Sequence, residues 1–328
     1  MPDPRIAFST VSLHGVDAVT AFRAAYRSAF GGEPLFELNY GWELDSPEQA
    51  PGLRGAVVSV HAPCPRAANF PNLGSRDPAV RRKSLEDIRR SAETAAAFGA
   101  GLVVLHPGYT LDVTVPVDAT RRLATLVRHA GAEERYVWSR DGSICTPGYC
   151  SSAAYRLHQE VAVANLAEAA RICAAEGVEL AIENLNPRVS YLFQLPADLA
   201  AAVHALPRLR ICVDLGHLWI SSLVHGFDFL AGLRALTATG RVASAHVHDN
   251  GSRLGTRVVE RVVDAPPDGS RFSDEHLAIG RGSVPIAAAV LELKRAGAGC
   301  LVVETVDPPL ESARRLMRIL GLAPGGRS

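Results

Sequence analysis

Residues 57–61 read Val57-Val58-Ser59-Val60-His61, an apolar run of strand length that stops on an ionisable side chain. The pattern recurs. Leu102-Val103-Val104-Leu105 stops on His106, Leu180-Ala181-Ile182 on Glu183, and Ile211-Cys212-Val213 on Asp214. Ala243-Ser244-Ala245 stops on His246, and Leu301-Val302-Val303 on Glu304. Near-continuous apolar runs, rather than alternating ones, suit the strands of a parallel sheet buried on both faces. With Arg5–Ser9 and Leu35–Leu38 the strand-like runs are Arg5–Ser9, Leu35–Leu38, Ala56–His61, Leu102–His106, Glu179–Glu183, Leu209–Asp214, Val242–His246 and Cys300–Glu304.

Helical patterns lie between them. Leu85, Ile88, Ala92 and Ala95 recur at steps of three and four, a single helix stripe that ends at Gly99. Leu157–Glu176, Ala197–Leu206, Val284–Ala296 and Leu310–Leu320 read the same way, with Gly177 and Gly297 just past two of the ends. The alternation predicts an α/β protein of eight βα units, a (β/α)8 barrel (TIM barrel), with an open doubly wound sheet as the competing layout. One domain over residues 1–328 is expected, with a Gly-rich tail from about residue 323. Two segments exceed ordinary loop length: 108–155 after the fourth strand and 250–274 after the seventh. Both belong on the carboxyl-end face of a barrel, where active sites are built. The first holds Tyr136, Trp138, Tyr149, Cys145 and Cys150.

Composition bounds the function. The chain of 328 residues has 34 Lys plus Arg against 34 Asp plus Glu, so it carries no general field for a polyanion. This argues against nucleic acid as a partner and for a small-molecule substrate. No apolar stretch reaches the roughly 20 residues of a membrane span, and the start, Met1-Pro2-Asp3-Pro4-Arg5, lacks the layout of a signal peptide. Six cysteines without a CxxC pair fit a reduced, cytoplasmic setting. A homo-oligomer is compatible with all of this.

A single histidine at a strand end is most often just hydrogen-bonded there. Six such ends in register are different, because burying that much charge at one rim is costly unless it is paired or coordinated. His217 follows Asp214 by three residues, so a turn can return it to the same rim. Asp274-Glu275-His276 presents Asp274 and His276 on one side if extended. Mixed imidazole and carboxylate ligands suit Zn²⁺, Mn²⁺ or Fe²⁺. Arg253 could clamp a hydroxyl or phosphate, and His248 could contact substrate or support a ligand. Cys64 reads as a small packed residue, and Gly280-Arg281-Gly282 as a tight turn or an anion loop.

Together Val60-His61-Ala62-Pro63, Leu105-His106-Pro107-Gly108, Ile182-Glu183-Asn184, Asp214-Leu215-Gly216-His217, His246-Val247-His248-Asp249-Asn250 and Asp274-Glu275-His276-Leu277-Ala278-Ile279-Gly280-Arg281-Gly282, with Val303-Glu304, resemble the xylose isomerase-like superfamily. That resemblance implies a metal-dependent barrel, either a sugar or sugar-phosphate isomerase or epimerase or an endonuclease IV-type repair enzyme. In the isomerase branch it implies one divalent ion on Glu183, Asp214, His246 and Glu304. In the repair branch it adds His61, His106, His217, Asp274 and His276 and three zinc ions; this chain has all nine residues. The wording Glu183-Asn184-Leu185-Asn186-Pro187 and Asp214-Leu215-Gly216-His217 sides with the isomerases. The expected activity is proton transfer through an enediolate by Glu183 and Glu304, with His217, Arg253 and His248 on the substrate and one to three Zn²⁺ or Mn²⁺ ions as cofactor. The alternatives are a multi-zinc phosphoesterase and a lyase or dehydratase on a keto-sugar-like compound.

Overall fold

The computed structural model describes residues 3–131, the backbone of 135–136, and residues 144–253, 273–307 and 309–322. Its centre is a closed barrel of eight parallel strands: β1 (Arg5–Ser9), β2 (Leu35–Leu38), β3 (Val57–His61), β4 (Leu102–Leu105), β5 (Glu179–Glu183), β6 (Leu209–Asp214), β7 (Val242–Val247) and β8 (Cys300–Val303). Each strand pairs with its neighbours in chain order, and β1 closes on β8 with Arg5 opposite Cys300 and Phe8 opposite Val303. All eight expected strands are present, and the barrel replaces the open sheet.

Around it lie α1 (Gly15–Phe30), α2 (Pro78–Phe98), α3 (Ala119–His129), α4 (Ala153–Ala175), α5 (Pro196–Ala205), α6 (Leu215–His225), α7 (Phe229–Thr237), α8 (Ile286–Arg295) and α9 (Leu310–Leu320). The stripe read from Leu85 to Ala95 is the inner face of α2. Asp77 caps its start by accepting from the Ala79 and Val80 amides, and Gly99 ends it at φ 77°. Apolar side chains of strands and helices form a main core that includes Phe8, Phe36, Val60, Ile88, Leu166 and Leu301, beside two small clusters of strand residues around Val302 and Val104.

The expectation of eight complete βα units needs correction. Between β2 and β3 there is no α-helix, only the 3-10 turn Pro51–Leu53. Gly41, Pro47, Pro51, Gly52 and Gly55 interrupt that stretch at intervals too short for a helix. The segment 108–155 is also more than loop. It contains α3, whose cap Asp118 accepts from the Arg121 amide at 2.8 Å. The side chain of Tyr136, all of Trp138 and the tail from 323 lie outside the described residues. Among the described residues no helix is long and apolar enough to cross a membrane.

Candidate metal centre and active site

Strand ends bring the ligand-type residues together. His61, Glu183 and Asp214 end β3, β5 and β6; His106 and Glu304 directly follow β4 and β8; His246 is the penultimate residue of β7. Glu183, Asp214, His246, His61, His217 and Glu304 are buried, and His106, Asp274 and His276 are half-buried. Three groups result. In the first, His61 Nε2 lies 3.0 Å and His106 Nε2 3.5 Å from Glu183 Oε2. In the second, His246 Nδ1 lies 3.1 Å from Glu304 Oε2, 3.6 Å from Glu183 Oε1 and 3.7 Å from Asp214 Oδ2. In the third, Asp274 Oδ2 is 3.4 Å from His217 Nε2, and Asp274 Oδ1 is 3.1 Å from His276 Nε2. Glu183 joins the first group to the second.

The long excursion after β7 reaches the rim because Asp249 and Asn250 hold it there. Asp249 and Leu277 exchange both backbone hydrogen bonds at 2.8 Å, and the Asn250 amide donates to the Ser273 carbonyl. The Asp249 carboxylate accepts from the Gly280 and Val284 amides at 2.8 and 3.0 Å. A Cβ on Gly282 would stand 2.4 Å from Asp249 Oδ1, so only glycine fits there. Gly280-Arg281-Gly282 is thus the tight turn, and the Gly280 N–H is spent on Asp249. Asn186 Nδ2 donates to Asp274 Oδ2 at 2.8 Å, and His276 sits at φ 46°, a left-handed conformation that a non-glycine residue holds only when its surroundings enforce it.

Backbone carbonyls fix the imidazoles. The Nδ1 positions of His61, His217 and His276 face the carbonyls of Ala62, Asn184 and Glu304 at 3.2, 3.1 and 3.1 Å. With Nδ1 committed there, each Nε2 is the nitrogen directed at the carboxylates, and on losing its proton it offers a lone pair on that side, the arrangement metal-binding histidines adopt. Asn184 also clamps β5 to β6: its amide donates to the Asp214 carbonyl at 2.9 Å, and the Asp214 N–H donates back at 2.8 Å.

Charge balance supports a cation. Among the described residues no Lys or Arg pairs with Glu37, Glu183, Asp214, Asp274 or Glu304; their ionic partners are histidines. Burial works against ionisation, yet the facing imidazoles hold Glu183, Asp214 and Asp274 below the usual carboxylate range and Glu304 at about 2. Burial likewise opposes charge on His276, but Asp274 and Glu304 raise it to about 9. In His106 burial wins and the imidazole is lowered. Several buried atoms of these residues, His106 Nδ1, His217 Nε2, both His246 nitrogens and Asp274 Oδ1, have no hydrogen-bond partner. Buried atoms of this kind are normally satisfied. Imidazole nitrogens and carboxylate oxygens that converge without bonding one another are a donor set for divalent ions.

Two residues escape the sequence reading. Glu37 on β2 is fully buried; Ser59 Oγ donates to its Oε2 at 2.7 Å, and its Oε1 lies 2.9 Å from His246 Nε2. The only hint was a carboxylate inside the apolar run Leu35-Phe36-Glu37-Leu38. Tyr40 meets His61 edge-on at 5.6 Å, and burial pushes its phenol up to about 12. His248 is fully buried, stacks on His276 with ring centroids 3.8 Å apart, and directs Nε2 to Asp214 at 3.0 Å. Arg253 is exposed and borders the undescribed residues 254–272. Phe70 stacks on His106 at 5.2 Å. Trp219 donates to the Ser252 carbonyl, and Tyr149 bridges Thr110 and the Ser190 amide. Cys64 is packed, and Cys145 and Cys150 are free thiols directed at Gln194 Oε1.

Known proteins match this architecture. A Solibacter usitatus protein described as a probable endonuclease 4 is 29% identical over 263 residues, 77% of this chain and 72% of that one. An uncharacterised protein of Methanocaldococcus jannaschii is 21% identical over 253 residues, 75% of this chain and 74% of that one. Among solved structures, a D-tagatose 3-epimerase-like protein superposes with TM-score 0.65 at 20% identity, covering 97% of both chains. The 3-keto-D-glucoside 4-epimerase of E. coli superposes with TM-score 0.62 at 13% identity, covering 97% of this chain and 99% of that one. The sequence profile of the xylose isomerase-like TIM barrel family matches residues 10–138 and 141–321, and the chain belongs to that family.

Proposed function

We propose that this protein is a divalent-metal-dependent isomerase or epimerase acting on a sugar, sugar phosphate or related polyol. The observation that carries the reading is the pair Glu183 and Glu304. They come from β5 and β8, yet both approach His246 Nδ1, at 3.6 and 3.1 Å. Glu183, Asp214, His246 and Glu304 would hold one ion, with His61 and His106 on one flank and His217, Asp274 and His276 on the other. A divalent ion bound there supplies Lewis acidity toward a carbonyl and its neighbouring hydroxyl.

The chain's own residues supply the rest. Both glutamates stay ionised at neutral pH, because imidazoles outweigh their burial. One carboxylate removes the proton from the carbon beside the carbonyl. The acid so formed returns it to the neighbouring carbon in an isomerisation, whereas in an epimerisation the other glutamate first takes a proton from solvent and delivers that one to the opposite face. Tyr40 and Phe70 stand over the His61 and His106 side and exclude water there. The epimerase activities named for the superposing structures agree with this reading. The test is incubation of metal-loaded protein with a panel of ketoses in D2O. Deuterium should enter at the carbon beside the carbonyl; a ketose converted without exchange, or none converted, contradicts the proposal.

A second reading, phosphoester hydrolysis at several ions, is favoured by one observation: all three ligand groups are complete, and Glu183 joins the first to the second. The Solibacter relative supports it as well. Hydrolysis of a phosphomonoester by protein holding about three zinc ions, without ketose turnover, would transfer the assignment.

A further inference from the structure

We propose that Arg122, with the Tyr109 hydroxyl, forms an anion subsite beside the metal centre, so that the substrate is a polyol bearing a phosphate or carboxylate group. The proposal deepens the isomerase reading and rests on it for the polyol. Arg122 closes the first turn of α3, half-buried, with its guanidinium 5.2 Å over the ring of Phe70. Phe70 in turn stacks on His106 at 5.2 Å and meets Tyr40 at 4.9 Å, so the guanidinium is one aromatic layer from the first ligand group.

An arginine withdrawn from water normally pairs with a carboxylate. Arg122 does not: among the described residues its hydrogen bond is from Nη1 to the Val117 carbonyl at 2.8 Å, and it forms no ion pair. A guanidinium has five N–H donors in a fork suited to carboxylate or phosphate oxygens, so most of its capacity is uncommitted. Three phenols and a second guanidinium surround it: burial and Arg188 work against its charge, while Tyr191, Tyr109 and Tyr40 favour it. Tyr109 is fully buried, meets Tyr191 edge-on at 5.2 Å, and its hydroxyl has no hydrogen-bond partner. Buried hydroxyls are seldom left unpaired. An unpaired guanidinium and an unpaired hydroxyl on the same side of the centre are complementary to one anion.

Inert probes separate this from the isomerase chemistry, since ribitol, ribitol 5-phosphate and ribonate have no carbonyl to isomerise. Their binding to the zinc-loaded full-length protein is measured calorimetrically. At least one anionic probe should bind about tenfold or more tightly than ribitol, and Arg122→Gln should remove most of that preference while ribitol affinity and zinc content stay unchanged. The anion that gains identifies the substrate group as phosphate or carboxylate. Bound zinc itself attracts anions, but that contribution survives in Arg122→Gln, so the loss reports the guanidinium. Arg122→Lys should keep part of the preference and Tyr109→Phe should lose about threefold of it, which decides the matter if Arg122→Gln fails to fold. No anion preference in the parent protein, or the same preference in the variants, overturns the proposal. Because no probe turns over, a failed isomerase assay leaves this contrast readable.

Discussion

Glu37 Oε1 lies 2.9 Å from His246 Nε2, and both residues are shut off from solvent. The approach is off the line of a hydrogen bond, and neither atom has another partner. The contact joins β2 to β7 across the barrel interior and leaves Nδ1 facing Glu183, Asp214 and Glu304. A carboxylate on the far side of a ligand imidazole fixes its tautomer and strengthens it as a donor. Glu37→Gln should therefore weaken divalent-ion affinity by about 10- to 100-fold, as measured by chelator competition. Unchanged affinity would show that Glu37 only fills space.

The acid–base assignment makes a sharper demand. Glu183→Gln and Glu304→Gln should each lower turnover of any ketose substrate by about 10²- to 10⁴-fold. Hydrogen–deuterium exchange at the substrate carbon, followed by NMR on metal-loaded variants, measures the proton transfer apart from product release. Exchange at the parent rate in either variant would remove that residue from the mechanism.

Packing beneath His248 gives a structural prediction. A Cβ on Gly216 would stand 2.0 Å from His248 Cε1, inside any allowed contact. Gly216→Ala must displace His248, which stacks on His276 and contacts Asp214. It should cost about 1–3 kcal/mol in denaturant unfolding, the usual range for overpacking, and loosen the ion held by His217, Asp274 and His276. Parent stability together with parent metal content would contradict this placement.

His276 sets a pH dependence in metal-free protein. Its pKa is raised from 6.5 to about 9, chiefly by Asp274 against the opposing effect of burial. Its contribution to stability is therefore fully present below pH 6.5 and lost as the pH rises through about 9. The thermal midpoint of stripped protein should fall between pH 7 and 9.5. An ion on Nε2 displaces the proton, so zinc binding at pH 7.5 should release protons into a weakly buffered solution. Zinc binding without proton release would place the ion away from His276.

The barrel and most of the centre were legible because each ligand-type residue interrupts an apolar run, as at Leu105-His106 and Val213-Asp214. Glu37 was not. It lies inside its strand, where a single polar side chain usually faces water, and its partner His246 is far away in sequence. Arg122 was hidden for a different reason. It belongs to a short amphipathic helix whose charged face reads as solvated, and only the fold reveals that Phe70 lies under its guanidinium. The missing helix after β2 followed from glycines and prolines visible in the sequence but overridden by the regular βα rhythm. How Asp274 and His276 return to the rim depends on the pairing of Asp249 with Leu277, which no local pattern announces.

Elemental analysis of protein purified without added metal tests the central claim most directly. The account predicts at least one tightly bound zinc or manganese ion per chain, held by Glu183, Asp214, His246 and Glu304 and lost in Asp214→Ala. It predicts further ions when the groups at His61 and His106 and at His217, Asp274 and His276 are filled by soaking. A chain that holds no divalent ion, as purified or after soaking, would contradict it.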